Sequence, residues 1–209
     1  MKGFNRNNGE LFLDDILLSD LAVSYGTPTY VYSASLIRSR FFEYKDALRQ
    51  DDKVCFAVKS NSNINILKLL NEMGSGFDVV SGNELRRCLL AGADPKNIVF
   101  SGVGKTKAEI QLALKENIFS INIESENELN RIIEIAKEMG VEANCAIRVN
   151  PDISAESHPY IETGLKTSKF GVTKEVALNM SQKIRTSENI NLIGLACHIG
   201  SQIIKPELI

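Results

Sequence analysis

The sequence predicts an α/β fold, a partial (β/α)8 TIM-type barrel with about six βα units present, and three observations carry the prediction. From Lys53 onward, short β-rich runs alternate with longer stretches of helical period, the pattern of parallel βαβ units. Lys59, Asp78, Ser101, Asn122, Arg148 and His198 each stand at or just past the C-terminal end of a different run, and in a barrel those ends converge on one mouth. No G-x-G-x-x-G follows the first run, which removes the usual fingerprint of the alternative, a doubly wound open sheet.

The first run, Val54-Cys55-Phe56-Ala57-Val58, precedes a helix over residues 64–73 in which Ile66, Leu67 and Leu70 recur at helical spacing. The second, Phe77-Asp78-Val79-Val80, leads into a helix over 84–91. Ile98-Val99-Phe100 precedes a helix over 108–115, and Ser120-Ile121-Asn122-Ile123 precedes one over 126–139. Ser125 caps that helix, and Glu128 three residues later makes a capping box. A fifth run over 143–149 ends in a polar loop with Pro151 and Pro159; a helix over 174–185 and a sixth run over 190–197 follow. Gly74, Gly92 and Gly140 fall where helices stop, since glycine takes the left-handed conformation without steric cost. Upstream, Tyr25-Gly26-Thr27-Pro28-Thr29-Tyr30-Val31-Tyr32 reads as a turn feeding a β strand of another sheet, ahead of a helix over 33–49 capped by Ser33.

Composition narrows the function. Of the residues 44% are hydrophobic and 24% charged, the balance of a globular protein with a substantial core. The net charge of −2 offers no basic field for a polyanion, so no nucleic-acid partner is expected. No apolar run approaches the ~20 residues that cross a bilayer, and the polar, Asn-rich start is unlike a secretory signal; no membrane partner is expected either. Cys55, Cys88, Cys145 and Cys197 form no C-x-x-C pair, and three lie in apolar runs, which reads as reduced core cysteines in a cytoplasmic protein. With only His158 and His198 to assist the thiols, no metal site is expected.

Four residues could carry chemistry. Lys59 ends an apolar strand, where partial desolvation favours the neutral amine, a nucleophile toward an aldehyde; alternatively its stem packs on the barrel and its charge reaches solvent. His198 closes the sixth run, followed by Gly200, which lets a ligand approach the backbone, and by Ser201, whose amide and hydroxyl could donate to a phosphate. Its imidazole either covers one face of a pyridine ring or is a hydrogen-bonded structural histidine. Asp78 is a carboxylate between apolar neighbours that needs a cationic or donor partner, or else a helix-start acid. Arg148 interrupts an apolar strand, which is costly unless a ligand or a carboxylate such as Asp78 or Glu84 meets it. Gly102-Val103-Gly104-Lys105-Thr106 superficially resembles a phosphate loop but lacks the leading glycine of a Walker motif.

The Lys59 segment, Phe77-Asp78-Val79-Val80-Ser81-Gly82-Asn83-Glu84-Leu85, the Arg148 segment and His198-Ile199-Gly200-Ser201-Gln202 resemble, in order and spacing, the fold-type III, alanine-racemase-like decarboxylases that use pyridoxal 5′-phosphate. His158-Pro159-Tyr160-Ile161-Glu162-Thr163-Gly164 and Ser168-Lys169-Phe170-Gly171 resemble the diaminopimelate decarboxylases within that group. The resemblance implies that Lys59 bonds covalently to the cofactor, His198 stacks on its ring, Gly200 and Ser201 meet its phosphate, and Asp78, Glu84 and Arg148 line its pocket. It implies decarboxylation of meso-2,6-diaminopimelate to L-lysine and CO2 by a cytoplasmic homodimer acting on a small amino acid. Related decarboxylases of arginine, ornithine or carboxynorspermidine, a racemase, and a non-catalytic barrel carrying the cofactor are the rivals.

The same resemblance assigns residues 1–32, through the strand around Tyr30, to a separate and largely missing β domain, and residues 33–209 to an incomplete cofactor-binding barrel. Members of that family continue for about as many residues again. The expectation is therefore a truncated form, inactive alone, without the last two barrel units, a Gly-rich phosphate loop, the acidic partner of the pyridine nitrogen and the substrate-gripping residues.

Overall fold

A computed structural model describes residues 3–151 and 170–201. The chain opens on a small antiparallel sheet of β1 (Phe4–Asn7), β2 (Glu10–Leu13) and β3 (Ile16–Leu17), which the sequence reading did not anticipate. Its signal is Asn8-Gly9, with φ of +50° and +85°, the two-residue turn whose twist matches a hairpin. Helix α1 (Leu18–Tyr25) follows. The strand expected around Tyr30 is not formed: that segment is irregular and Tyr30 is 90% exposed, because β-rich composition makes no strand without a pairing edge. Ser33 caps α2 (Ala34–Lys45), accepting from the Leu36 amide at 3.1 Å. Asp14 ties the small sheet to this helix start by accepting from the hydroxyls of Ser33 and Ser35.

The main sheet has six parallel strands in chain order: β4 (Cys55–Ala57), β5 (Gly76–Val79), β6 (Ile98–Phe100), β7 (Ser120–Ile123), β8 (Ala143–Arg148) and β9 (Ile190–Ala196). Between them run α3 (Ile64–Glu72), α4 (Gly82–Leu90), α5 (Lys107–Lys115), α6 (Glu126–Met139) and α7 (Lys174–Arg185). The strand order never reverses, so the sheet has no topological switch point and is wound as a barrel is. The predicted elements from Lys53 onward all form, within a few residues at their ends.

Alternation along each strand divides the sheet into two faces. Phe77 and Val79, Ile98 and Phe100, Ile121 and Ile123 are buried outward against the helices, and the residues between them point inward. In α6, Leu129, Ile132, Ile135 and Ala136 are all buried, one stripe of a helix with polar residues opposite. Gly140, at φ +65°, ends that helix in the left-handed conformation.

The faces also correct the expectation of core cysteines. Cys88 and Cys145 are buried, and burial pushes both thiols up to about 12. Cys55 and Cys197 are exposed, since strand parity turns Cys55 inward and Cys197 lies past the end of β9.

Truncating Ile132, fully buried in α6, to Ala is expected to lower stability by about 2–5 kcal/mol in urea unfolding. Truncating Leu90, 70% exposed on α4, is expected to change it by less than about 0.5 kcal/mol.

Candidate active site

All six polar residues at the strand ends line one cavity of about 710 Å³: Lys59, Asp78, Ser101, Asn122, Arg148 and His198. This lies within the ~300–1,000 Å³ usual for small-molecule sites. Its wall follows the pleat, with positions 55, 57 and 59, 78 and 80, 99 and 101, and 196 and 198 contributing in steps of two. β4 and β9 are opposite edges of the sheet, and in a flat sheet five interstrand spacings would hold them about 24 Å apart. Lys59 and His198 nevertheless share the cavity, so the sheet is curled as a barrel requires.

Lys59 lies in a single 3-10 turn, Val58–Ser60, directly after β4. Fully buried Val58 anchors the turn, and the Ser60 hydroxyl closes it on the Ala57 carbonyl at 2.7 Å. The side chain of Lys59 is exposed; the desolvation expected of it is not found, because the residue has left the strand and opens into the cavity.

Across the strand ends, the Asn122 amide donates to the Ser101 hydroxyl at 3.0 Å, which donates to Asp78 at 2.6 Å. Burial pushes the Asp78 carboxyl above its ordinary value, opposed by the Ser101 hydrogen bond and by the charges of Lys59, Arg148 and His198. Burial likewise lowers His198 below its ordinary 6.5, assisted by Arg148 and Lys59 and opposed by Asp78 and Glu124. The imidazole is therefore neutral near pH 7.

Arg148 pairs neither with Asp78 nor with Glu84. Its Nη1 lies 3.0 Å from Oε1 of Glu124, whose side chain is 1% exposed, and Glu124 is a residue the sequence reading passed over. The Glu124 amide in turn donates to Oε2 of Glu128 at 2.7 Å, and Oε1 of Glu128 takes the Lys105 ammonium at 2.9 Å. Lys105 also donates to the carbonyls of Gly102 and Asn122, both at 2.7 Å. Its amine thus points into the protein, which explains why the glycine-flanked loop is not a phosphate loop. The capping box expected at Ser125 is half formed: Ser125 accepts from the Glu128 amide, while the Glu128 carboxylate reaches one residue further back. A complete box stands instead at Thr106 and Glu109.

Glu84 is not among the cavity's lining residues. Its carboxylate accepts from the Val80 amide at 2.7 Å, as that of Glu128 does from Glu124. A readable signal predicts the equivalence, since Ser81-Gly82-Asn83-Glu84-Leu85 and Ser125-Glu126-Asn127-Glu128-Leu129 are copies of one helix start. Ser201 lines the cavity, and Gly200 stands between it and His198. Residues 152–169, including His158 to Gly164 and Ser168-Lys169, and residues from Gln202 onward lie outside the described residues.

A curled parallel sheet with an amine, an imidazole, a guanidinium and a carboxylate at one mouth defines a barrel protein with a polar small-molecule site at the C-terminal ends of its strands. The chain belongs to the pyridoxal-dependent decarboxylases, matching their pyridoxal binding domain over residues 34–208. It is 45% identical over 208 residues to a diaminopimelate decarboxylase of Pseudomonas aeruginosa, covering 99% of this chain and 50% of that one. Over 197 residues it is 46% identical to the Aquifex aeolicus diaminopimelate decarboxylase, covering 94% and 47%. Among solved structures, diaminopimelate decarboxylase of Helicobacter pylori complexed with L-lysine superposes with a TM-score of 0.87 at 44% identity, over 90% of this chain and 48% of that one. The M. jannaschii enzyme in co-complex with L-lysine gives 0.86 at 38%, over 96% and 48%. The chain thus spans about half the length of the curated relatives it matches.

The cofactor of this family is pyridoxal phosphate, and the lining fits it. Lys59, Arg148 and His198 face the single carboxylate of Asp78, a donor set that favours an anion, while Val80, Val99 and Ala196 supply apolar wall for a ring.

Two outcomes are expected. Lys105→Met or Glu128→Gln alone lowers stability by about 3–5 kcal/mol, and a double variant with Met at 105 and Leu at 128 loses less than either, measured by urea unfolding. The imidazole of His198 titrates below 6.5 by NMR, and Asp78→Asn moves it lower still, because Asp78 holds it up; an upward movement would contradict the charge arrangement. Since folding lowers this group, the stability it contributes is present above pH ~6.5 and is lost as pH falls through the folded value.

Proposed function

We propose that this chain carries the cofactor site of an enzyme that decarboxylates meso-2,6-diaminopimelate to L-lysine and CO2. The observation that carries the reading is the convergence of Lys59, Asp78, Arg148 and His198 on one cavity, in a chain 44–46% identical to proteins named for that reaction. Three of the solved structures it resembles hold L-lysine, the product of the proposed reaction.

When bound, pyridoxal phosphate supplies an aldehyde carbon that a primary amine can join and a ring that accepts the electrons left when CO2 departs. In our reading Lys59 is the protein's amine for that carbon. It sits on a short turn at the mouth, directly after β4, where it would be open to an aldehyde held in the cavity. His198, a cavity-lining imidazole, would hold the cofactor ring by stacking against it. The Ser201 hydroxyl and the backbone at Gly200 would hold the phosphate. Asp78, held by Ser101, faces the cations at the mouth, and Arg148 adds positive charge to the same cavity. Glu84 acts at one remove, by fastening the Val80 amide beside Asp78.

We place the complete protein in the cytoplasm as a homodimer, with residues 1–32 serving a separate β domain. The four cysteines are unpaired, as a reducing compartment requires, and among the described residues no helix is long and apolar enough to cross a membrane. The exposed Tyr25, Tyr30 and Tyr32 form an apolar surface suited to a further domain.

In the complete protein, Lys59→Ala is expected to abolish both the visible absorbance of the bound cofactor and turnover; an unchanged spectrum would reject Lys59 as the bonding amine. In a substrate panel on the complete protein, CO2 release from meso-diaminopimelate is expected to exceed that from arginine, ornithine and carboxynorspermidine, and a preference for any of these would overturn the substrate assignment.

A further inference from the structure

We propose that Glu124 and Phe170 are positioning residues that hold the Arg148 guanidinium from two sides and thereby fix where its charge stands in the cofactor cavity. The proposal rests on the family's cofactor but not on the substrate.

Glu124 follows β7 by one residue, and its carboxylate meets three donors. Oε1 accepts from the Gly102 amide at 2.8 Å and from Arg148 Nη1 at 3.0 Å, and Oε2 accepts from the Gly171 amide at 3.2 Å. A glutamine here would offer one acceptor oxygen and turn its own N–H groups toward donors, so only a carboxylate can serve all three. On the other side, the guanidinium carbon of Arg148 lies 5.0 Å from the centre of the Phe170 ring, within range of a cation–π contact.

Phe170 is itself held in place. The Val172 amide donates to the Arg148 carbonyl at 2.9 Å and the Asn150 amide to the Val172 carbonyl at 2.8 Å, which lays this segment along the end of β8. Gly171, at φ +71°, makes the approach possible: a Cβ there would stand 2.9 Å from the Arg148 carbonyl oxygen. One carboxylate therefore ties together the loop after β6, the end of β8 and the strip at 170–172.

An arginine side chain free to turn would carry its charge across several positions. Arg148 is 12% exposed, lines the cavity, and its charge is felt by both Asp78 and His198. Holding the guanidinium therefore sets the field that these two groups and an anionic ligand experience.

The test compares Glu124→Gln and Phe170→Leu with the parent protein, reading the Arg148 side-chain N–H signals by NMR, pyridoxal phosphate affinity by absorbance titration, and melting temperature. Both variants are expected to merge or broaden the Arg148 signals and to weaken cofactor affinity about tenfold, the size expected for losing one contact to a charged group. In Glu124→Gln the His198 titration also moves down, since Glu124 holds it up. Should Glu124→Gln fail to fold, Phe170→Leu decides, because it leaves the three bonds to Glu124 in place. Lower melting temperatures with unchanged Arg148 signals and unchanged affinity would make both residues purely structural and overturn the proposal. These measurements need no turnover, so a failure of the substrate assignment leaves them intact.

Discussion

The pleat of a parallel strand sends alternate side chains to opposite faces, and in this protein that alternation separates what holds the molecule together from what can react. Outward positions such as Phe77, Ile98, Ile121 and Ile147 are sealed against helices, where a polar group would cost several kcal/mol without a partner. Inward positions near the C-terminal ends, Asp78, Asn122 and Arg148 among them, face a cavity instead. Curling the sheet then brings Lys59 and His198, from its two edges, to the same mouth.

Beneath that mouth runs a chain of buried charge from Arg148 through Glu124, the Glu124 amide and Glu128 to Lys105. Such groups are poor sources of net stability, since removing two ions from water costs about what their attraction returns. They are effective at excluding alternatives, because any arrangement that separates them strands a charge in the interior. The loop at Gly102–Lys105, the helix start at Ser125 and the end of β8 are thereby held in one relative geometry. The repeated Ser-x-Asn-Glu-Leu starts of α4 and α6 give the fold a standard way to fasten the residue before a helix, and in α6 the same glutamate also receives Lys105.

The cavity combines opposing electrostatic tendencies. Burial works against charge on both Asp78 and His198, raising the first and lowering the second. The fixed charge of Arg148 supports the anion and opposes protonation of the imidazole. A neutral ring, a hydrogen-bonded carboxylate and two cations form a surface that discriminates by charge as well as shape, consistent with a family whose ligand is a planar phosphate ester.

The sequence by itself determined the alternation of strands and helices and the six polar residues at or just past the strand ends that line the cavity, because each depends on local period and on position along the chain. Tertiary structure alone decided that Arg148 meets Glu124 rather than Asp78 or Glu84, that Lys105 turns inward and that no strand forms at Tyr30. Those outcomes depend on which neighbours register and curvature bring together: Glu124 reaches Arg148 across 24 residues of chain, and no local pattern in either segment names the other. The small sheet at the start lies between these cases, since Asn8-Gly9 announces its turn, while its docking through Asp14 to Ser33 and Ser35 exists only once the chain has folded.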